Sequence, residues 1–400
     1  MSSDVKHVVI FGAGSTGRGH IGQLAFSSGY HLTFVERDPA LLRDLWASRE
    51  FTVRLIGETA RDVVLRGYQV LDVVDTTAVS EAVARASLVL TAVRPENIPS
   101  LAGPLAHALV RRAELGNTAP LNLVACENMV GGSTALKGYV SAALPQEYAA
   151  LLDTRFAFPD AMIARVVPSR DPGSLRLEGE DYNEWPVDRT AWLGPDPEIE
   201  GLELVDNLPA RLERKLYMHN TGHAVCGYIA HMKGYTLMCD AIADPWIADL
   251  TRRAMIESGE ALIKRHGFDR AEMDAYREGL FPRVGSRQIK DPVQRVIRSP
   301  LRKLGRHERL IGPACLCLDY DTQPEYLGVG MAALLDYYAP DDPESERLRT
   351  ALRTRGVSHV LSDLVGVEPQ YVRALEGLIK RGLARIMMAR VQYRQGGPTQ

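Results

Sequence analysis

The stretch that most constrains the fold is His7–Phe11 (His-Val-Val-Ile-Phe) running into Gly12-Ala13-Gly14-Ser15-Thr16-Gly17. A short β-branched run predicts a strand buried on both faces. The glycines follow it without a spacer, a segment with helical spacing occupies residues 21–27, and a second strand at 31–35 ends at Glu36. Strand, glycine turn, helix and strand in this order form the opening unit of a doubly wound α/β sheet that binds a dinucleotide. Gly12 allows the tight turn, Gly14 lets backbone approach a pyrophosphate, and Gly17 permits close packing of helix on strand. Backbone N–H groups at the helix start, around Ser15 and Thr16, then face the phosphates. Glu36 lies 19 residues beyond Gly17, where a carboxylate accepts hydrogen bonds from the ribose hydroxyls and repels a 2′-phosphate. NAD is therefore the expected cofactor, with Arg37 beside Glu36 moderating that preference.

The alternation continues through residues 52–55 and 63–73 as a β-rich insertion, a helix at 77–86, a strand at 87–93, a helix at 101–115 and a strand at 121–125. Val93-Arg94-Pro95 and Cys126-Glu127-Asn128 end two of these strands, so both belong on the carboxyl edge where such sheets bind ligands. Asn128 can cap the next helix or donate to a reacting oxygen. Further strands are expected at 164–168 and 175–178, separated by a turn at Ser169-Arg170-Asp171-Pro172-Gly173. The Gly/Pro-rich segment Trp192–Pro197 is the expected boundary. It separates an N-terminal nucleotide-binding domain (1–195) from a mostly α-helical domain (196–392), with a frayed tail at 393–400. The helices of the second domain are expected at 208–229, 241–266, 324–338, 344–356 and 370–389.

Within the second domain, Arg-Lys-Leu-Tyr-Met-His-Asn-Thr-Gly-His at 214–223 carries the proton-transfer chemistry. On a regular helix at about 100° per residue, Lys215, His219, Asn220 and His223 share an arc of about 140°. An amine, a carboxamide and an imidazole on one face suit proton transfer at a hydroxyl or carbonyl. A wet helix face has the same composition, so the segment gains its meaning from the nucleotide fold before it. Residues 288–309 hold Lys290, Arg295, Arg298, Arg302, Lys303, Arg306 and Arg309. These form either a solvated face or a site for an anionic or hydroxyl-rich substrate, with Pro300 interrupting any helix.

Totals narrow the function class. Forty-seven basic against 50 acidic residues leave a net charge of −3, which offers no surface for nucleic acid or anionic membrane. No apolar run approaches the roughly 18 residues of a membrane span, and no signal-peptide pattern opens the chain. Cys126, Cys226, Cys239, Cys315 and Cys317 have neither disulfide-framework nor zinc spacing, so a reducing, cytoplasmic setting is expected. Oligomeric state is not legible.

Phe11 through Gly22, Ala125-Cys126-Glu127-Asn128-Met129-Val130, Glu213-Arg214-Lys215 through Asn220-Thr221-Gly222-His223-Ala224, and Pro300-Leu301-Arg302-Lys303-Leu304 together resemble the polyol-specific long-chain dehydrogenases. Within that family the likeness is greatest to the members acting on mannitol 1-phosphate at C5. The resemblance covers nearly the whole chain. It implies a metal-independent, NAD-dependent enzyme interconverting D-mannitol 1-phosphate and D-fructose 6-phosphate. Lys215 would be the general acid/base, Asn128 and Asn220 would stabilise the developing alkoxide, and His223 would orient the substrate. Arg295 and Lys303 match family contacts to the chain hydroxyls; Arg298 and Arg302 are assigned to a terminal phosphate by inference. The family pattern departs at Ala164, where a carboxylate is expected, and at Arg94, where a compact turn is expected. Both departures bear on the substrate, so another sugar phosphate, an unphosphorylated polyol or a hexuronate stays open. A non-catalytic NAD sensor would keep the glycine turn and need no Lys215.

Overall fold

Why β1 is apolar throughout is visible in where its side chains go. In the computed structural model, which describes residues 6–57, 59–167, 173–287 and 290–395, Val8 and Ile10 enter one core while Val9 and Phe11 enter another. Successive strand residues point to opposite faces, so a strand covered on both sides is hydrophobic without alternation. The backbone divides into two units, Met1–Arg211 and Leu212–Gln400.

The first unit contains, in chain order, β1 (His7–Phe11), β2 (His31–Glu36), β3 (Glu50–Ile56), β4 (Arg61–Arg66), β5 (Gln69–Asp72), β6 (Leu88–Thr91), β7 (Leu121–Ala125), β8 (Phe156–Ala157), β9 (Leu177–Glu180), β10 (Trp185–Asp188) and β11 (Leu202–Val205). Six of these form one parallel sheet in the order β5-β2-β1-β6-β7-β8. The order reverses between β1 and β6, which makes their carboxyl ends the crevice of a doubly wound sheet. The fold class expected from the sequence is thus the fold observed.

Its details differ in instructive places. The single strand expected at 63–73 breaks at Gly67, whose φ is +72°. Its first part, β4, pairs antiparallel with β3, and its second, β5, joins the main sheet beside β2. Strand β3 also pairs with β9, giving a separate sheet of order β4-β3-β9. The strand expected at 164–168 is reduced to an isolated bridge between Ala164 and Glu184. Its last residue, Pro168, and the expected turn residues Ser169, Arg170, Asp171 and Pro172 lie outside the described residues. The Trp192–Pro197 segment falls between β10 and β11, which pair in parallel.

The second unit is helical. The expected helix at 241–266 is two helices, Met238–Ile242 and Pro245–His266, because Asp244 restarts the chain as an N-cap. Its carboxylate accepts from the Trp246 and Ile247 N–H groups at 2.9 and 3.4 Å, with Pro245 at the first helical position. The later helices run Glu325–Asp336, Pro343–His359 and Pro369–Gln395; residues 396–400, part of the expected tail, lie outside the described residues. The two longest helices outside the expected set are Arg270–Val284 and Ile311–Asp319. The first has a legible start, since Asp269 accepts from the Glu272 N–H at 2.9 Å, as a capping pair does. The second is buried at seven of its residues, Ile311 to Cys317, so it shows no polar stripe to reveal its period. Among the described residues no helix is long and apolar enough to cross a membrane.

Asp244 also forms an ion pair with Lys233 and accepts from the Tyr235 hydroxyl at 3.1 Å. Burial raises the Asp244 pKa, but Lys233 and the helix N–H groups outweigh it and leave the carboxyl below its ordinary value. A carboxyl depressed in the folded state contributes stability above its unfolded pKa, and that stability is lost as pH falls. Replacing Asp244 with Ala is expected to cost about 1–3 kcal/mol at pH 7, through the lost cap and the stranded ammonium. In urea titrations the gap between wild type and variant is full above about pH 4 and narrows as pH falls below it, through the depressed pKa of folded Asp244; a pH-independent gap contradicts this account.

Candidate functional site

Each unit carries one polar constellation. In the first, the chain leaves β1 through Gly12 at φ +96°, where a Cβ would stand 2.5 Å from the Ala92 carbonyl oxygen. At Gly17 a Cβ would stand 1.9 Å from the Gly12 carbonyl oxygen, so the helix start rests directly on the turn. Gly14 is different: nothing lies within 4 Å of its missing Cβ. Its lack of a side chain relieves no internal clash and leaves backbone open to a ligand. Gly12, Gly14 and Ser15 line a cleft of about 670 Å³ with Glu36, Arg37, Val93 and Arg94. Of the expected cofactor residues, Gly17 serves packing, and Thr16 is not among the cleft-lining side chains.

The Glu36 carboxylate accepts from the N–H groups of Ala13 (2.7 Å), Arg37 (2.7 Å) and Asp38 (3.0 Å). That ties the end of β2 to the glycine turn and keeps the carboxylate at the cleft. Arg37 donates to the Asn97 side-chain oxygen at 3.2 Å, and Asn97 in turn donates to the Val93 carbonyl at 2.7 Å.

Glu127, not singled out in the sequence, is the buried anchor of this edge. It is 6% exposed and accepts from the Thr91 hydroxyl and the Val93 N–H, each at 2.9 Å. Burial pushes its carboxyl upward in pKa, against the hydrogen bonds that favour the anion. Its link joins the carboxyl ends of β6 and β7. The only sequence signal was a carboxylate directly after a buried strand. Arg94 follows with φ +78° and ψ 148°, a region costing a non-glycine residue about 1–3 kcal/mol. Asn128 is exposed and does not cap the next helix. That helix, Gly132–Ala143, has Gly131 at its N-cap, and Asp160 takes the N–H groups of Ser133 and Thr134 at 2.8 and 3.0 Å. Ala164 is buried at 8% exposure.

In the second unit the expected regular helix over 208–229 is interrupted. Leu208–Arg214 is α-helical, Lys215–Asn220 is a π-helical turn, and Thr221–Met232 is α-helical again. An α-helix would splay Lys215 and Asn220 by about 140°. The wider turn, bonded i→i+5, narrows that angle. Two contacts brace it. The Thr221 hydroxyl donates to the Arg309 carbonyl at 2.6 Å, and the Arg214 guanidinium lies over the Tyr276 ring at 4.0 Å from its centroid.

His223 places Nδ1 3.1 Å from the His219 carbonyl oxygen. A carbonyl only accepts, so Nδ1 carries the proton. Burial keeps the imidazole below its ordinary pKa, which leaves a neutral ring with Nε2 free of a proton, an acceptor for a hydroxyl. His219 packs its ring 4.4 Å from that of His223. Burial first, then His223, Arg283, Lys215 and Arg309, hold it well below its ordinary pKa.

The basic stretch breaks where Pro300 predicts. Helices Val293–Ile297 and Pro300–Leu304 flank Ser299, whose φ is +57°. Lys303 is 4% exposed and its ammonium donates to the Arg298 carbonyl. Burial, then Arg309, Arg302 and Arg298, lower its pKa to about 7. Arg309, ion-paired with Glu308, thus contributes to lowering the pKa of both His219 and Lys303. Arg295 forms a two-pronged ion pair with Asp291, so its charge is already half-matched. Arg298 and Arg302 are exposed, and the Arg302 amide donates to Glu344 at 3.0 Å. Among the described residues no group of three or more His, Cys, Asp or Glu side chains could hold a metal ion.

Comparison with known proteins covers both units. Residues 6–201 match the model of the mannitol dehydrogenase Rossmann domain, and residues 207–361 match that of the mannitol dehydrogenase C-terminal domain. Among solved structures, Pseudomonas fluorescens mannitol 2-dehydrogenase, in a ternary complex with NAD and D-mannitol, is similar at 17% identity. The alignment spans 97% of this chain and 94% of that one, with a TM-score of 0.71. A D-sorbitol dehydrogenase in substrate-free form is similar at 16% identity, over 96% of each chain, with a TM-score of 0.79. At such identities the two structures speak for the fold, while the paired domain models cover most of the sequence: the chain belongs to the mannitol dehydrogenase family.

Proposed function

We propose that this chain is an NAD-dependent polyol dehydrogenase, and that its substrate pair is D-mannitol 1-phosphate and D-fructose 6-phosphate. The observation that supports the reaction type is the π-helical turn Lys215–Asn220, whose wider winding narrows the angle between an amine and a carboxamide in the same short segment as His223. The open face at Gly14 and the carboxylate at Glu36 fit a dinucleotide, and the family relative solved with NAD supports that fit. Gly12, Gly14, Ser15, Val93 and Arg94 would hold it, with Glu36 on the ribose. When bound, NAD supplies the hydride acceptor or donor.

Lys215 takes the hydroxyl proton on its Nζ in oxidation and returns it in reduction, which requires the amine form when the alcohol binds. Asn220 donates a side-chain N–H to the oxygen as negative charge builds there; we assign Asn128 the same chemical role. His223 accepts a hydrogen bond from a neighbouring hydroxyl at Nε2. The basic stretch is the support for a phosphorylated substrate, with Arg298 and Arg302 assigned to the phosphate, and with Lys303 and the Asp291-paired Arg295 assigned to the chain hydroxyls. The runner-up is an unphosphorylated polyol, favoured by the substrate of the solved mannitol relative. All five cysteines are free and buried, which supports a reducing compartment.

Lys215→Ala is expected to lower kcat by about 10²–10⁴-fold while leaving NAD affinity, read by calorimetry, within about twofold. Unchanged turnover defeats the proton-transfer assignment. Glu36→Ala is expected to weaken NAD by about ten- to a hundredfold, as loss of charged hydrogen bonds does, and to improve NADP relative to NAD. Equal cofactor ratios in variant and wild type remove Glu36 from the ribose. Lys303 is charged below its pKa of about 7 and neutral above it. KM for mannitol 1-phosphate is therefore expected to rise between pH 6 and 8, and that slope should flatten in Lys303→Met. A substrate panel that turns over mannitol and mannitol 1-phosphate with equal kcat/KM rejects the phosphate reading.

A further inference from the structure

Arg94 stands where the backbone least tolerates a side chain. Its φ of +78° with ψ 148° belongs to a region that glycine occupies freely and other L-residues rarely do. Such strain persists only when the surroundings over-determine it, and here they do. Glu127 holds the preceding N–H of Val93 at 2.9 Å, and Asn97 holds the Val93 carbonyl at 2.7 Å. The Asn97 N–H donates to the carbonyl of Arg94 itself at 3.0 Å. Pro95 follows and excludes the α-helical alternative.

The buried carboxylate, the asparagine and the proline thus impose this conformation, which glycine would adopt without penalty. Nothing in the turn's own bonding uses the Arg94 side chain. It is exposed, lines the cleft with Gly12, Gly14 and Ser15, and has no hydrogen-bond or ion-pair partner among the described residues. The other charged groups of that cleft are committed: Glu36 to three backbone N–H groups, Arg37 to Asn97, and Asp38 to the Ala40 N–H. An unengaged guanidinium beside an open glycine turn matches a doubly charged phosphate anhydride, which it can grip with two parallel N–H groups.

We propose that Arg94 is an anchoring residue for the pyrophosphate of the dinucleotide, held in a strained backbone at the cleft that it lines together with the glycine turn. The proposal rests on the cofactor reading above. It makes stability and affinity move in opposite directions at one position, which a purely structural arginine would not do.

The test uses the full-length, ligand-free protein, with NAD, ADP-ribose and adenosine as probes in calorimetric titrations. Arg94→Gly is expected to weaken NAD and ADP-ribose by about tenfold or more, the scale of a lost charge-assisted contact. Adenosine, which lacks the pyrophosphate, should change by less than about twofold. The ligand-free melting temperature of Arg94→Gly should stay level or rise, because the strain is gone. Arg94→Lys keeps the charge without the fork and should fall between the two. Added salt should weaken ADP-ribose more steeply in wild type than in Arg94→Gly. Undiminished ADP-ribose affinity in Arg94→Gly overturns the proposal, as does an equal loss for adenosine or a loss accompanied by a lower melting temperature. If wild type binds neither NAD nor ADP-ribose, the cofactor reading fails and takes the proposal with it; if wild type binds both and Arg94→Gly binds them equally, Arg94 alone is wrong.

Discussion

The contact on which the first unit depends is that of the Gly12 carbonyl with the backbone of Gly17, so close that a single methyl group would collide at 1.9 Å. It fixes the distance from β1 to the helix it feeds, and hence the depth of the crevice where the strand order reverses. Neighbouring polar bonds hold the rim to that contact. Glu36 carries the end of β2 to Ala13, and Glu127 carries the end of β7 to the turn after β6. Both are carboxyl groups receiving backbone N–H groups, Glu36 at the cleft and Glu127 buried beneath it. The cleft is thus shaped mainly by backbone, with side chains acting as ties.

The second unit uses a different device. A regular helix leaves residues five apart about 140° from each other, and one wider turn at Lys215–Asn220 narrows that angle. A turn bonded i→i+5 packs less well than its α neighbours, so it needs support from outside the helix. Thr221 provides it through the Arg309 carbonyl, and Arg214 through its stack on Tyr276. The same Arg309 lends positive potential to His219 and Lys303. One residue therefore links the shape of the π-helical turn to the charge around it.

Much of this was legible beforehand, for reasons that can be named. Strands β1 and β7 were located to the residue, because β-branched runs closed by glycine or by polar residues carry both composition and punctuation. The break at Gly67 was not, since apolar character continues across it and only the pairing partners change. Helix Ile311–Asp319 was missed because a fully buried helix has no polar face to betray its period. Asn128 had two readings from sequence, and it took Gly131 and Asp160 in their places to remove the capping one. Glu127 looked like spacing between Cys126 and Asn128 until its burial and its two bonds were seen.

By itself the sequence determined the local matters: a parallel sheet opening on a glycine turn, a carboxylate at the end of β2, and the residue types Lys215, Asn220 and His223 in one short segment. These follow from periodicity, propensity and spacing, which act over a few residues. Only the tertiary structure decided that the helix widens at Lys215–Asn220, that burial lowers the pKa of His223 while its Nδ1 faces the His219 carbonyl, and that Arg94 is held in a glycine's conformation. Each of these is imposed by groups distant in sequence or by burial. Local propensity favours the regular helix, the exposed imidazole and the relaxed arginine, and it is long-range packing that overrules it.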